Sequence, residues 1–277
     1  MFRIFSFILL FQFVTSSHSL AAQPGFLVAE QAVAVFNSPE AAIEPARPDN
    51  CGQTRALEFV AFPKTAFTVK RALGTDKYPL YEVTTSEYKA PDGVRLYVSG
   101  NGLRGLESAP AERQPPVLGA EEISKRLQGA IGLPYIWGGN LRNGIRMKNG
   151  RSQYAGVDCS GLLYEATGGY TPRNTAELVS FGRPVPVAGL GPDQIVAQLE
   201  PLDLIVWKGH LIIVLDKGKT IESALFCEKP GNGGVMTRPL RDRLGEVMSQ
   251  RKGVDSWPES SVKSKLFVIR RWLQQPL

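Results

Sequence analysis

Histidine is nearly absent from this chain: 277 residues contain two, His18 and His210. No H-E-x-x-H or C-x-x-C spacing occurs, so no metal site and no cofactor is expected. Cysteine is almost as scarce, with Cys51, Cys159 and Cys227. An odd set cannot pair completely, and the pairing that spares Cys159 is Cys51 with Cys227. Those two would have to bridge separate domains, so both are expected as free thiols. Long apolar runs are lacking too. The run from Ile4 to Val14 is too short to cross a bilayer, and no other stretch approaches that length. It follows Met1-Phe2-Arg3 and ends in Ser19-Leu20-Ala21-Ala22. That pattern is a secretory signal peptide over residues 1–22 and implies export, to the periplasm or the cell envelope, with no integral membrane segment after its removal. No cysteine directly follows that run, so no lipid anchor is expected. The formal net charge is +6, but the basic residues are scattered and form no arm or stripe. This excludes an obvious nucleic-acid partner and leaves a mild attraction to anionic surfaces.

What is present gains weight from what is missing. With His18 in the removed segment, His210 is the one imidazole of the mature chain. It follows Trp207-Lys208-Gly209 and opens the strand-like run Leu211-Ile212-Ile213-Val214-Leu215. Cys159 lies in Gly156-Val157-Asp158-Cys159-Ser160-Gly161, at a loop-to-helix junction before Leu162-Leu163-Tyr164. A thiol in the first turn of a helix faces unsatisfied amides and the positive end of the dipole, which favour a thiolate. Ser160 and Gly161 leave room for a carbonyl to approach. Free cysteine is more often a small buried hydrophobe than a nucleophile, but here a single imidazole is available as its base. Past the turn Asp216-Lys217-Gly218-Lys219, a second strand begins at Ile221-Glu222-Ser223. In such a hairpin Glu222 could orient the ring of His210.

The order cysteine, histidine, acid on a helix followed by two strands is that of a papain-like thiol hydrolase. Further motifs surround it: Leu133-Pro134-Tyr135-Ile136-Trp137-Gly138-Gly139, Thr171-Pro172-Arg173-Asn174-Thr175 and Leu199-Glu200-Pro201-Leu202-Asp203-Leu204-Ile205. Over residues 116 to 225 the chain resembles the NlpC-type cell-wall cysteine peptidases. It departs from them twice. Their third catalytic position is most often histidine and here is Glu222, and the segment from Gly139 to Asp158 is long and rich in Arg142, Arg146, Lys148 and Arg151. The resemblance implies a substrate of peptidoglycan stem peptides or muropeptides, cut between γ-D-glutamate and the diamino acid. It makes Cys159 the nucleophile, His210 the proton carrier and Glu222 the orienting acid. Tyr135 would stand close to the thiol, with the Cys159 amide as oxyanion donor. Asp158 and Ser160 would hold the amino-terminal part of the substrate, and Arg173, Asn174 and Thr175 would line the cleft. A non-catalytic wall-binding protein and a thiol acyltransferase or amidase are the rival classes.

Residues 23–105 read as an all-β module of short strands: Phe26-Leu27-Val28, Ala32 to Phe36, Leu57 to Phe62, Phe67-Thr68-Val69, Tyr81 to Thr84 and Arg95 to Val98. By placement it resembles the SH3-like barrels that precede NlpC-type domains. Residues 106–116 read as a linker. Residues 117–277 form the hydrolase domain, α+β, with helices over 120–131, 159–167 and 174–181 and an antiparallel sheet closed by a final strand over 265–272. The loop 230–234 and the stretch 250–263 read as exposed connections. Docked over the amino-terminal end of the cleft, the β module would favour stems with a free N-terminal L-alanine.

Overall fold

The structure, a computed structural model, describes residues 24–44, 46–75, 77–258 and 265–273. The expected signal peptide lies outside them, and among them no helix is long and apolar enough to cross a membrane. The first unit comprises β1 (Phe26–Ala29), β2 (Val33–Phe36), α1 (Pro39–Ile43), β3 (Leu57–Ala61), β4 (Ala66–Ala72), β5 (Leu80–Thr84), β6 (Leu96–Ser99) and β7 (Leu103–Leu106). The strands pair antiparallel in the order β3-β2-β6-β5-β4-β1-β7. Alternate residues along them, among them Leu27, Val35, Phe59, Phe67, Val83 and Val98, enter one core, as the two-residue period of a strand requires. The sequence reading differs here in two places. Asn37-Ser38-Pro39, which has the composition of a turn, instead starts a helix: Ser38 is its cap, its Oγ accepting from Ala41 N at 3.2 Å with Pro39 at the first position. β7 crosses the expected boundary at residue 105 and pairs with β1. The pairings leave β3 and β7 at the two ends of the sheet order, where the sequence reading expected an SH3-like barrel.

The second unit begins with α2 (Ala120–Gln128) and two short hairpins, β8 (Asn140–Leu141), β9 (Ile145–Arg146), β10 (Ser152–Gln153) and β11 (Gly156–Val157). Then follow α3 (Cys159–Ala166), α4 (Thr175–Leu178), β12 (Arg183–Pro184), α5 (Pro192–Gln198), β13 (Leu204–Trp207), β14 (His210–Val214), β15 (Lys219–Leu225), β16 (Gly233–Pro239), α6 (Leu240–Gln250), β17 (Lys252–Gly253) and β18 (Leu266–Arg271). The sheet runs β12-β18-β13-β14-β15-β16, with β17 beside β18. One face packs on α2 and α3 through Leu127, Leu162, Val206, Leu211 and Val268. The other packs on α5 and α6 through Ile195, Leu244, Ile205, Ile212 and Phe267. Burial on both faces explains why Leu211 to Val214 is apolar without alternation, and each such side chain stabilises the sheet by roughly 1.5–3 kcal/mol. The pairing of β16 with β15 reaches Gly233 and so takes in part of the loop expected at 230–234. In the expected connection 250–263, Asp255 accepts from Val187 N at 2.6 Å and Ala188 N at 2.9 Å, and Trp257 packs on the core; residues 259–264 lie outside the described ones.

The two units are tied together, which corrects the expectation of two free thiols. Cys51 and Cys227 form a disulfide with Cα atoms 4.8 Å apart. The loops carrying them touch, with Gly231 N donating to Cys51 O at 2.8 Å. Sequence separation hid that meeting. Nearby, the fully buried Asn140 completes the backbone bonding of β3, accepting from Val60 N and donating to Val60 O, each at 2.8 Å. Gln53 Oε1 accepts from Trp137 N at 2.9 Å. The expected linker is pinned as well: Arg113 donates to Glu87 at 2.7 and 2.9 Å, to Gly168 O at 2.9 Å and to the Tyr164 hydroxyl at 3.2 Å.

Candidate active site

Cys159 is the first residue of α3, so its amide is one of the helix-start groups with no intrahelical acceptor. Asp158 is the cap, accepting from Gly161 N at 2.7 Å through Oδ1 and from Gly138 N at 3.0 Å through Oδ2. The turn is held from behind by Asp158 N donating to Gly139 O at 2.9 Å and by Ser223 Oγ of β15 donating to Val157 O at 2.7 Å. A methyl group on Gly161 would overlap Gly139 O. The small residue after Ser160 is thus required by the backbone that passes beneath the helix.

His210 opens β14 beside Gly209, whose φ of 111° suits the turn from β13. Thr175 steadies that turn, its Oγ1 accepting from Gly209 N at 2.8 Å. The His210 ring meets the Trp207 ring at 5.2 Å, and the Arg251 guanidinium lies 4.4 Å from the same indole. His210 Nε2 is 2.6 Å from Glu222 Oε2 on β15, which leaves Nδ1 as the nitrogen to meet the thiol. Burial works against a charged imidazole, but hydrogen bonds with Cys159 and Glu222, together with their negative charge, outweigh it and push His210 up from 6.5 to about 9. Glu222 is buried, which by itself would raise it. Its bonds to His210 and Arg243 prevail, and its carboxyl is held at about 2.

Arg243 is the residue that sequence reasoning missed. From α6 its Nε donates to Glu222 Oε1 at 2.6 Å and its Nη2 to Glu222 Oε2 at 2.9 Å. The stripe Leu240, Leu244 and Val247 could have revealed that helix, but no spacing links position 243 to 222.

Tyr135 is buried, and its phenol is pushed up by that burial and by the charges of Asp158 and Cys159. Arg173, 2% exposed, spends its donors inside the protein. It reaches Asp158 at 3.0 and 2.8 Å, Ser160 Oγ at 2.9 Å, Asn140 Oδ1 at 3.2 Å and Gly139 O at 3.2 Å. Those contacts make it a brace beneath the turn that carries Cys159, with every donor engaged inside the protein. Ser160 Oγ, in turn, donates to Asp158 Oδ1 at 3.2 Å. Asn174 caps α4, accepting from Glu177 N at 3.1 Å, and donates to Lys89 O of the β unit at 2.7 Å. The β unit also brings Tyr88, whose hydroxyl donates to Glu58 at 2.5 Å. Burial pushes the Tyr88 phenol up, and it feels Glu58, Arg173 and Asp158 together. Neither Glu58 nor Tyr88 stands out in the sequence.

No family model matches the chain, and no curated protein matches it. Its structural neighbours are NlpC/p60 domain proteins. A variant of the resuscitation promoting factor interacting protein RipA has 22% identity and a TM-score of 0.34, over 55% of this chain and 61% of that one, so less than two thirds of its length is matched. RipD from Mycobacterium tuberculosis, described as a non-catalytic NlpC/p60 domain protein adapted to peptidoglycan binding, has 22% identity and a TM-score of 0.32 over 43% and 86%. An NlpC/p60 endopeptidase from Photobacterium damselae subsp. piscicida has 11% identity and a TM-score of 0.45 over 82% and 69%.

Proposed function

We propose that this chain is an exported cysteine endopeptidase that hydrolyses peptidoglycan stem peptides or muropeptides between γ-D-glutamate and the diamino acid. The observation that carries the reading is the 2.6 Å contact of His210 with Glu222, with the imidazole lifted to about 9 by Glu222 and Cys159 together. Cys159 Sγ attacks the carbonyl carbon while His210 holds the thiol proton. The oxyanion takes the Cys159 amide, with the Tyr135 phenol as second donor. Collapse breaks the C–N bond as His210 protonates the leaving amine, and water then attacks the thioester, its proton returning through His210 to restore the thiol. The disulfide between Cys51 and Cys227 suits the oxidising compartment that export implies.

The substrate's amino terminus belongs at the contact between the two units. Asp158 is already paired by Arg173, so it does not await an ammonium alone. Glu58 adds a second carboxylate through Tyr88, and the group Asp158, Glu58 and Arg173 carries a net negative charge that one ammonium neutralises. The reading therefore prefers stems with a free N-terminal L-alanine over stems attached to sugar. Purified full-length protein should cut defined free muropeptides at the γ-D-glutamyl bond, as read by mass spectrometry, and Cys159→Ala should not. Equal turnover of sugar-linked stems would overturn the preference, and no turnover of either would overturn the hydrolase reading in favour of wall binding.

A further inference from the structure

We propose that Arg243 is a positioning residue of the catalytic unit: it clamps both oxygens of Glu222 and so fixes the carboxylate edge that holds the His210 ring. This rests on the reading of Cys159 and His210 as the working pair, and deepens it. Glu222 Oε2 lies 2.6 Å from His210 Nε2 and 2.9 Å from Arg243 Nη2, while Oε1 is held by Arg243 Nε at 2.6 Å. A planar guanidinium meets a carboxylate in this two-point fashion and prevents its rotation about the last side-chain bond. Glu222 is 2% exposed, so water cannot take over that duty.

The clamp is itself held. Arg243 Nη1 donates to Glu246 at 3.2 Å, and Glu246 also accepts from Arg238 of β16 at 2.7 Å. Leu240, Leu244 and Val247 anchor α6 in the core beneath. The charged groups that face the His210 and Glu222 couple are therefore Cys159 from α3, Arg243 and Glu246 from α6, and Arg238 from β16, with Arg251 lying against Trp207 on the other side of the imidazole. Arg243 does two things to the couple. It keeps Glu222 ionised, and its positive charge partly offsets the pull of that carboxylate on the imidazolium.

The test is an NMR titration of isotopically labelled histidine in the full chain, where His18→Gln removes the second signal, with kcat and KM measured on a muropeptide across pH. Arg243→Met should raise the His210 midpoint by about 1 pH unit, because a like charge has been removed. It should also lower kcat about tenfold with little change in KM, the weight of roughly 1.4 kcal/mol in the barrier. Arg243→Lys keeps the charge but loses the fork, so it should hold the midpoint near the wild type and recover only part of kcat. An unchanged midpoint in folded Arg243→Met overturns the proposal. Should that variant not fold, a wild-type kcat in Arg243→Lys overturns it instead. If no muropeptide is cut by the wild type the hydrolase reading fails, whereas the His210 midpoint still decides the role of Arg243.

Discussion

Asp158 with Arg173 and Glu222 with Arg243 are the same chemical pair used twice, once at the start of α3 beside Cys159 and once behind the imidazole. In the first, the arginine side chain is 2% exposed, and its remaining donors go to Ser160, Asn140 and a backbone carbonyl. In the second, the arginine is 17% exposed, and the carboxylate it holds is shared with His210. A buried pair with every donor engaged is a fixed part of the fold, because removing one partner strands the other in a low dielectric. A pair whose carboxylate also touches a titrating ring can change what that ring does. One arrangement sets where the Cys159 sulfur sits and the other sets how the His210 ring holds its proton.

The comparison breaks most visibly in stability. Arg173→Met should cost about 3–5 kcal/mol by leaving the Asp158 carboxylate without its buried counter-charge, whereas Arg243→Met should cost clearly less. Urea unfolding of the two variants side by side is the measurement, and equal losses would show the two pairs to be alike. Next in size is catalysis. Glu222→Gln should lower kcat about 10²-fold or more, the weight of a positioned proton carrier, and the pH at which His210 loses its proton should fall because the carboxylate no longer supports the imidazolium. A wild-type pH profile in this variant would remove Glu222 from the catalytic unit.

A smaller effect lies in the pH dependence of folding. His210 is raised from 6.5 to about 9, so its contribution is complete below 6.5 and is lost as pH rises through 9. Glu222 is lowered from 4.5 to about 2, so its contribution is complete above 4.5 and is lost as pH falls through 2. Thermal unfolding across pH should therefore show, from this couple, a plateau between 4.5 and 6.5 with a decline on either side. Glu222→Gln should flatten both declines, and a variant with the wild-type profile would place the sensitivity elsewhere. The smallest effect is expected at Thr175→Val, which removes the acceptor for Gly209 N in an exposed turn. Such a bond contributes about 1 kcal/mol to folding, so the melting temperature should fall by roughly 2–4 °C; an unchanged melting temperature would show that the bond does not steady the turn.

The parts of this arrangement visible in the sequence are those carried by local pattern. Cys159 stands out because a capping aspartate and two small residues introduce an apolar helix, and His210 because no other imidazole competes with it in the mature chain. Glu222 follows from the hairpin turn that separates it from His210. The rest depends on contacts that local pattern does not encode. Arg243 sits in the run Leu240-Arg241-Asp242-Arg243-Leu244, whose charged residues look like a solvated surface until α6 is seen to turn Arg243 toward Glu222. Glu58 and Tyr88 lie far upstream of Asp158 and approach it only because the β unit docks there. Arg173 was expected to line the cleft, and its burial beneath the turn follows from how Asn140 and Gly139 fold under α3. Cys51 and Cys227 are 176 positions apart, and nothing near either one announces the other.

That disulfide also sorts the chain into what is enclosed and what is not. Cys159, His210, Glu222, Arg173 and Tyr135 all lie between positions 51 and 227, inside one covalent ring, and Arg243 lies outside it. A single protease cut anywhere within the ring leaves two fragments that still travel together until a reductant separates them. A cut in the loop between Cys227 and Gly233 instead frees the segment carrying α6 from any covalent tie, and the pairings of β16 with β15 and of β18 with β12 and β13, together with the packing of α6, then retain it. Nicked protein would thus keep Cys159 and His210 joined in either case, and the position of the nick would decide whether the hold of Arg243 on Glu222 can be lost.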